Sequence, residues 1–392
     1  MAVTEAAAAV TEMNAVRILA SIATIGLFLA ALPARAAVLP EERADLLYHR
    51  YDGGGVTVDG PSLLVRKNFA EKYSVAANYY VDMVSSASID VVTTASPYKE
   101  TRTQTSLGFD MLRDKTTYSL NVTNSDEDDY EANTVGFDIS QDMFGDLTTL
   151  SIGFSRSWDQ VRRNGDPGFE EPIDRINYRF GLSQIVTPSL IMGFAYELIT
   201  DEGYLNNPYR SVRYLDLESS TGYAFEPEVY PHTRTSNSAA ISARYFLPYR
   251  AAVHGEYRYF NDTWGVDANT LRIGYTQPWG ARWIFEIGYR WYGQSAADFY
   301  ADLFLRPNAQ NFMGRDKELS TFDSNMINLG VTYELPSFGW NFIKNSTLNF
   351  FYDHSYYNYD DFRDITKGGI PGTEPLYHFN ADVFRLFISG WF

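Results

Sequence analysis

From about residue 45 to the last residue, apolar side chains recur at every second position. Leu107, Phe109 and Met111 alternate with Gly108 and Asp110, and Tyr118, Leu120 and Val122 with Ser119, Asn121 and Thr123. Trp283, Phe285, Ile287, Tyr289 and Trp291 face away from Arg282, Glu286, Gly288 and Arg290. A β-strand points successive side chains to opposite faces, so each such segment has one greasy face and one polar face. The segments are roughly 9–11 residues long, the length a tilted membrane strand needs. A soluble sandwich alternates too. Here, however, the polar face mixes Gly, Ser, Thr and Asn with many charges in segment after segment. The apolar face concentrates Tyr, Trp and Phe near segment ends, as an interfacial girdle does. The pattern predicts an all-β fold, a transmembrane antiparallel up-and-down β-barrel. Closure answers the physical demand that every backbone N–H and C=O be paired in lipid.

The connections alternate in length. Short ones fall at Ala70–Lys72, Arg113–Lys115, Asp142–Asp146, Thr187–Ser189, Pro248–Tyr249 and Pro278–Gly280, with a longer Leu335–Asn345. Between them lie Asp52–Gly55, Ser85–Glu100, Ser125–Glu131, Asp159–Pro172, Asp201–Thr235, Asp262–Asp267, Gly293–Thr321 and Tyr357–Phe379. Fifteen connections imply sixteen strands. Short periplasmic turns and long extracellular loops are the usual asymmetry of such barrels. Gly60-Pro61 interrupts the pattern near the first two strands, Asp45–Tyr51 and Val56–Lys67, and fourteen strands is the fallback count.

Arg17, the apolar run Ile18–Leu32 and the small-x-small sequence Ala34-Arg35-Ala36 read as a secretory signal peptide over residues 1–36. Glu5 and Glu12 are unusual there, and Met13 is an alternative start. Residues 37–392 are then the barrel. At the other end Phe384, Leu386, Ile388 and Phe392 share one face of FRLFISGWF and resemble the sorting signal read by the barrel assembly machinery. The expected location is the bacterial outer membrane, in contact with its lipid and lipopolysaccharide.

Composition removes other classes. The chain has no cysteine, so disulfides, thiolate metal sites and a cysteine nucleophile are excluded. A formal net charge of −17 argues against nucleic acid as a partner. A mean hydropathy of −0.27 excludes a polytopic helical membrane protein.

Four segments carry a resemblance: NYYVDMVSSASIDVV at Asn78–Val92, DYEAN at Asp129–Asn133, SQDMFGDLTT at Ser140–Thr149 and TDEGYLNNPYRSVRY at Thr200–Tyr214. They resemble a proteobacterial outer-membrane β-barrel family catalogued as a domain of unknown function. The resemblance covers the mature chain and implies an exported barrel with no catalytic residues to carry over. It also implies neighbours of lipoprotein, thioredoxin-like and flavin-attaching kinds, hence a periplasmic lipoprotein or redox partner.

Inward parity gathers Arg179, Arg244, Arg258, Arg272, Arg282 and Arg290 into a basic lumen wall, and Asp82, Asp110 and Asp138 into an acidic one. Facing each other, the walls would set a transverse field favouring small polar solutes. The bland alternative is local neutralisation, with Glu197, Glu256 and Glu286 standing among the arginines. The acidic tip Ser125–Asp129 lacks the spaced ligands of an EF-hand and reads as a solvated surface turn rather than a calcium loop. The five histidines show no ligand spacing, and GxSxG, HExxH and P-loop signals are absent. The expectation is a non-enzyme without a metal or cofactor of its own, a porin-like channel. The alternatives are a sleeve for a periplasmic partner and a surface-binding or adhesion barrel.

Overall fold

The computed structural model describes residues 38–86, 98–336 and 342–392. The signal-peptide reading, most of the Ser85–Glu100 connection and part of Leu335–Asn345 lie outside them.

The first half of the chain runs through β1 (Arg43–Gly53), β2 (Val56–Phe69), β3 (Tyr73–Ser86), β4 (Tyr98–Arg113), β5 (Thr116–Asp126), β6 (Tyr130–Met143), β7 (Thr148–Arg163), β8 (Asp166–Thr187) and β9 (Leu190–Gly203). After a short hairpin, β10 (Ser211–Leu215) and β11 (Tyr223–Pro227), it continues as β12 (Thr233–Phe246), β13 (Ala252–Asp262), β14 (Asp267–Trp279), β15 (Trp283–Gln294), β16 (Phe322–Glu334), β17 (Asn345–Arg363) and β18 (Leu376–Trp391). Among the described residues, sixteen of these strands close one antiparallel barrel in chain order, and β10–β11 stand apart as a two-stranded sheet. β18 closes the ring by pairing with both β17 and β1. The sixteen-strand reading holds. Gly60-Pro61 leaves the β2–β3 register unbroken, with Asp59 opposite Met83 and Ser62 opposite Tyr80. Gly60 is required there, because a Cβ would stand 1.8 Å from the Val81 carbonyl oxygen of β3.

The outer face is a continuous apolar surface. Leu46, Ile152, Ile241, Ile273 and Ile287, on strands all round the ring, are each more than half exposed. Water does not tolerate so large an apolar belt on a monomer. Two aromatic zones bound it. At the turn end Tyr73, Phe144, Tyr249, Trp279 and Trp283 are exposed. Toward the loop end, outward tyrosines donate hydrogen bonds to Asn or Asp on the next strand: Tyr48 to Asp59 at 2.6 Å, Tyr196 to Asn237 at 2.7 Å, Tyr257 to Asn269 at 2.6 Å and Tyr289 to Asn325 at 2.6 Å. From Trp279 to Asn269 on β14 the chain rises about 33 Å at ~3.3 Å per residue. A tilt of ~40° reduces this to about 25 Å, the height of a lipid-facing band.

Beyond the tyrosines the strands continue; one expected loop is largely strand and another is strand over about half its length. β7 and β8 run on to a connection at Asn164-Gly165, where Asp159–Pro172 was expected to be loop. β17 and β18 take in both ends of the expected loop Tyr357–Phe379, as Tyr357–Arg363 and Leu376–Phe379. Outside lipid a strand no longer needs an apolar outer face, so alternation fades while the backbone ladder persists. Packing supports both extensions: Tyr130, Val161 and Ile173 form one buried cluster, and Tyr357, Tyr359, Phe362 and Ala381 another.

Candidate functional site in the bore and its cap

Strand parity sends the charged residues inward, and the closed ring sets them beside one another. Arg66 donates to Asp110 at 2.7 Å, and Ser119 completes that carboxylate at 2.6 Å. Arg179 donates to Asp138 at 2.9 Å and to Ser155 at 3.2 Å. Arg272 lies 3.7 Å from Glu256, and Arg385 donates to Asp353 at 2.7 Å. These pairs keep partial contact with solvent: Arg66 and Arg272 side chains are 21% and 28% exposed. The inner wall is therefore wetted ion pairs rather than a packed apolar core.

The predicted walls are placed as follows. Arg244, Arg258, Arg272 and Arg290 occupy the adjacent strands β12–β15, about half the ring away from β3–β6, which carry Asp82, Asp110 and Asp138. Arg179 and Asp138 do not oppose each other; they form one salt bridge across β7. Arg282 lies in the turn between β14 and β15 and is exposed. Asp82 is buried and held by His49 Nε2 at 2.8 Å and by the Arg102 guanidinium at 3.6 Å. Phe384, Leu386 and Ile388 line the outer face of β18, and Lys67 stands 5.1 Å over the Phe392 ring. Among the other histidines, His354 Nδ1 pairs outward with Asp382 at 2.8 Å while Asp353 turns inward, as strand geometry requires of neighbours.

The longest connections fold onto one another over the loop end. The β10–β11 hairpin is bridged to the 295–321 segment at Tyr214–Phe304 and Val229–Met313. Val212, Phe304 and Met313 share one apolar cluster; Tyr230, Trp264, Phe299 and Leu319 share a second. Arg213, fully buried, donates to Glu374 at 2.6 Å and also pairs with Asp302, which Arg315 reaches at 3.0 Å. On the other side Tyr209 donates to Asp129 at 2.9 Å and accepts from the Asn164 amide at 2.7 Å. The segment leaving β9 thus touches the rim at β5–β6 and again at β17–β18. These points lie far apart in the ring, so the segment crosses the mouth. Burial raises the Glu374 carboxyl, but the Arg213 hydrogen bond and charge outweigh it and hold the group below its ordinary range.

The length and turn formers of Asp201–Thr235 mark it in the sequence as a segment that could plug or cap the lumen; its partners, 89 and 161 residues away in the chain, leave no such mark. Sequence reasoning misjudged the Ser125–Asp129 tip. Instead of a solvated turn, Glu127 and Asp129 are 4% and 0% exposed and point inward with Ser125. The signal was parity: counted from Leu120 and Val122, which face out, Ser125 and Glu127 fall on the inner face. Glu100 joins them from β4, beyond the lipid-facing band. Burial, then the charges of Asp129, Glu127 and Asp128, push its carboxyl up to about 9.

Comparison with known proteins gives a family and a set of folds. The model of a family described as "Protein of unknown function (DUF3570)" matches residues 89–178 and 173–373, most of the chain. No curated protein matches. Similar solved structures include a siderophore receptor PirA from Pseudomonas aeruginosa, at 10% identity and TM-score 0.44 over 82% of this chain. A bacterial polysaccharide outer membrane secretin gives 7% identity and TM-score 0.47 over 90% of this chain and 99% of its own. A Pseudomonas aeruginosa FadL homologue gives 12% identity and TM-score 0.43 over 92% of each chain. The present chain spans 57% of the length of the siderophore receptor.

Proposed function

The chain belongs to the family described as "Protein of unknown function (DUF3570)", and from that premise we propose that it lies in the bacterial outer membrane and passes small polar solutes through a charged, capped bore. The apolar outer belt with its two aromatic zones supports the location. The observation that carries the passage reading is the wetted inner wall: a bore closed by packing would exclude solvent from Arg66–Asp110 and Arg272–Glu256, and both retain it. Arg244, Arg258, Arg272 and Arg290 make the functional wall in this reading. Their side of the lumen carries Glu256 and Glu286 as partial counter-charge and attracts the anionic end of a solute. The acids opposite have their own local partners, so the field is set mainly by the arginines.

The cap makes passage conditional. In planar bilayers the purified chain is expected to give small, infrequent conductance steps. Replacing Ser211–Pro227 by a short Gly-Ser link is expected to make them larger and more frequent. If neither form conducts, the passage reading falls. Co-purification of a lipoprotein or a haem- or flavin-bearing carrier in mild detergent would favour the sleeve reading in its place.

A further inference from the structure

We propose that Glu100, Glu127 and Asp129 form a divalent-cation site, of calcium's size and hardness, set in the barrel wall beneath Tyr209. All three residues are buried, and one carboxylate oxygen from each lies within 4.8 Å of the others. Oxygens on opposite sides of a calcium ion, each bonded at ~2.3–2.6 Å, stand about 5 Å apart. The donor set is carboxylate alone, which favours a hard cation over zinc or copper.

A cluster of acids is common without an ion. Glu100 distinguishes this one. It is 6% exposed, it points into the cluster, and neither of its oxygens has a partner at hydrogen-bonding geometry among the described residues. The Asp128 backbone amide pulls the carboxyl down, but less than burial and the neighbouring acids push it up. Arg102, the nearby guanidinium, is spent on Asp82 at 3.6 Å and Glu127 at 3.4 Å. With no ion bound, a carboxyl buried in this way keeps its proton, and a bound cation takes that proton's place as the counter-charge. The ion would also fix Asp129, which accepts the Tyr209 hydroxyl, so the site ties the cap to the wall.

The test uses the full chain refolded in detergent without lipopolysaccharide and titrated calorimetrically with CaCl2. One ion per chain is expected at about 10⁻⁴–10⁻³ M, the range of extracellular calcium modules. Tb³⁺ should occupy the same site, with tyrosine-sensitised emission that CaCl2 displaces. Glu100→Gln, which removes the buried charge at constant shape, is expected to weaken uptake at least about tenfold, the lower end of losses seen even for outer-shell changes. Asp126→Asn, at an outward position of the same tip, leaves uptake unchanged. Should Glu100→Gln misfold, Glu127→Gln serves in its place. Absence of both signals in the wild type, or uptake that survives both Gln variants, overturns the proposal. A barrel that conducts but takes up no ion sinks this inference alone; one that binds the ion yet never conducts sinks only the passage reading.

Discussion

Arg213 shows how much a single side chain can hold. It has no solvent contact and joins the β10–β11 hairpin to Asp302 and Glu374, on two other connections. Removing one partner of a buried ion network strands the others, at a cost of about 3–5 kcal/mol. Arg213→Ala is therefore expected to release the cap while leaving the barrel ladder intact. Hydrogen exchange should rise at 204–232 and 364–375 but not in the sixteen barrel strands. Glu374 adds a pH dependence of definite sign. Its folded carboxyl titrates below the ordinary value, so its contribution is full above the unfolded value of ~4.3 and fades as pH falls through the folded one. Exchange in the cap is expected to accelerate below about pH 4 in the wild type, and Arg213→Ala should flatten that response. At Gly60, where a Cβ would meet a backbone oxygen, Gly60→Ala is expected to impair β2–β3 pairing. The readout is a smaller fraction of barrel resisting unfolding in unheated detergent gels. The glycine was visible in the sequence as a doubtful strand-breaker; the close approach of β3 that explains it was not.

At the scale of elements, the strands inside the lipid-facing band were legible because two solvents, lipid and lumen water, impose opposite demands on alternate residues. Past the tyrosine zone both faces meet water or cap, and the code lapses. This is why Asp159–Pro172 read as loop although β7 and β8 pair through it, and why the β10–β11 hairpin went unseen. Parity assigns Arg244, Arg258, Arg272 and Arg290 to the inner faces of β12–β15, and these carry the next prediction; Arg282, assigned with them, falls in the exposed turn before β15, where strand parity no longer applies. Reversing charge there, as in Arg258→Glu with Arg272→Glu, is expected to shift the zero-current potential in a salt gradient toward cation selectivity. An unchanged potential would mean that these arginines do not face the conducting path. Which acids neutralise which bases could not be read, since Arg179–Asp138 skips a strand and depends on tilt and side-chain length.

For the whole molecule, the last strand is decisive, because β18 covers the free edge of β1 along eleven paired residues, from Arg43–Trp391 to Gly53–Ala381. A ring without edges leaves no unpaired strand to lipid or to a second chain. The alternation in the sequence determined by itself that the chain becomes a barrel of this strand number, because that pattern is local and each segment records its two solvents independently. The tertiary structure alone decided that the mouth is crossed by a cap and that Glu100 meets Glu127 and Asp129. Those outcomes depend on groups brought together from distant parts of the chain. Their burial follows from closure and loop packing, which leave no periodic trace in the order of residues.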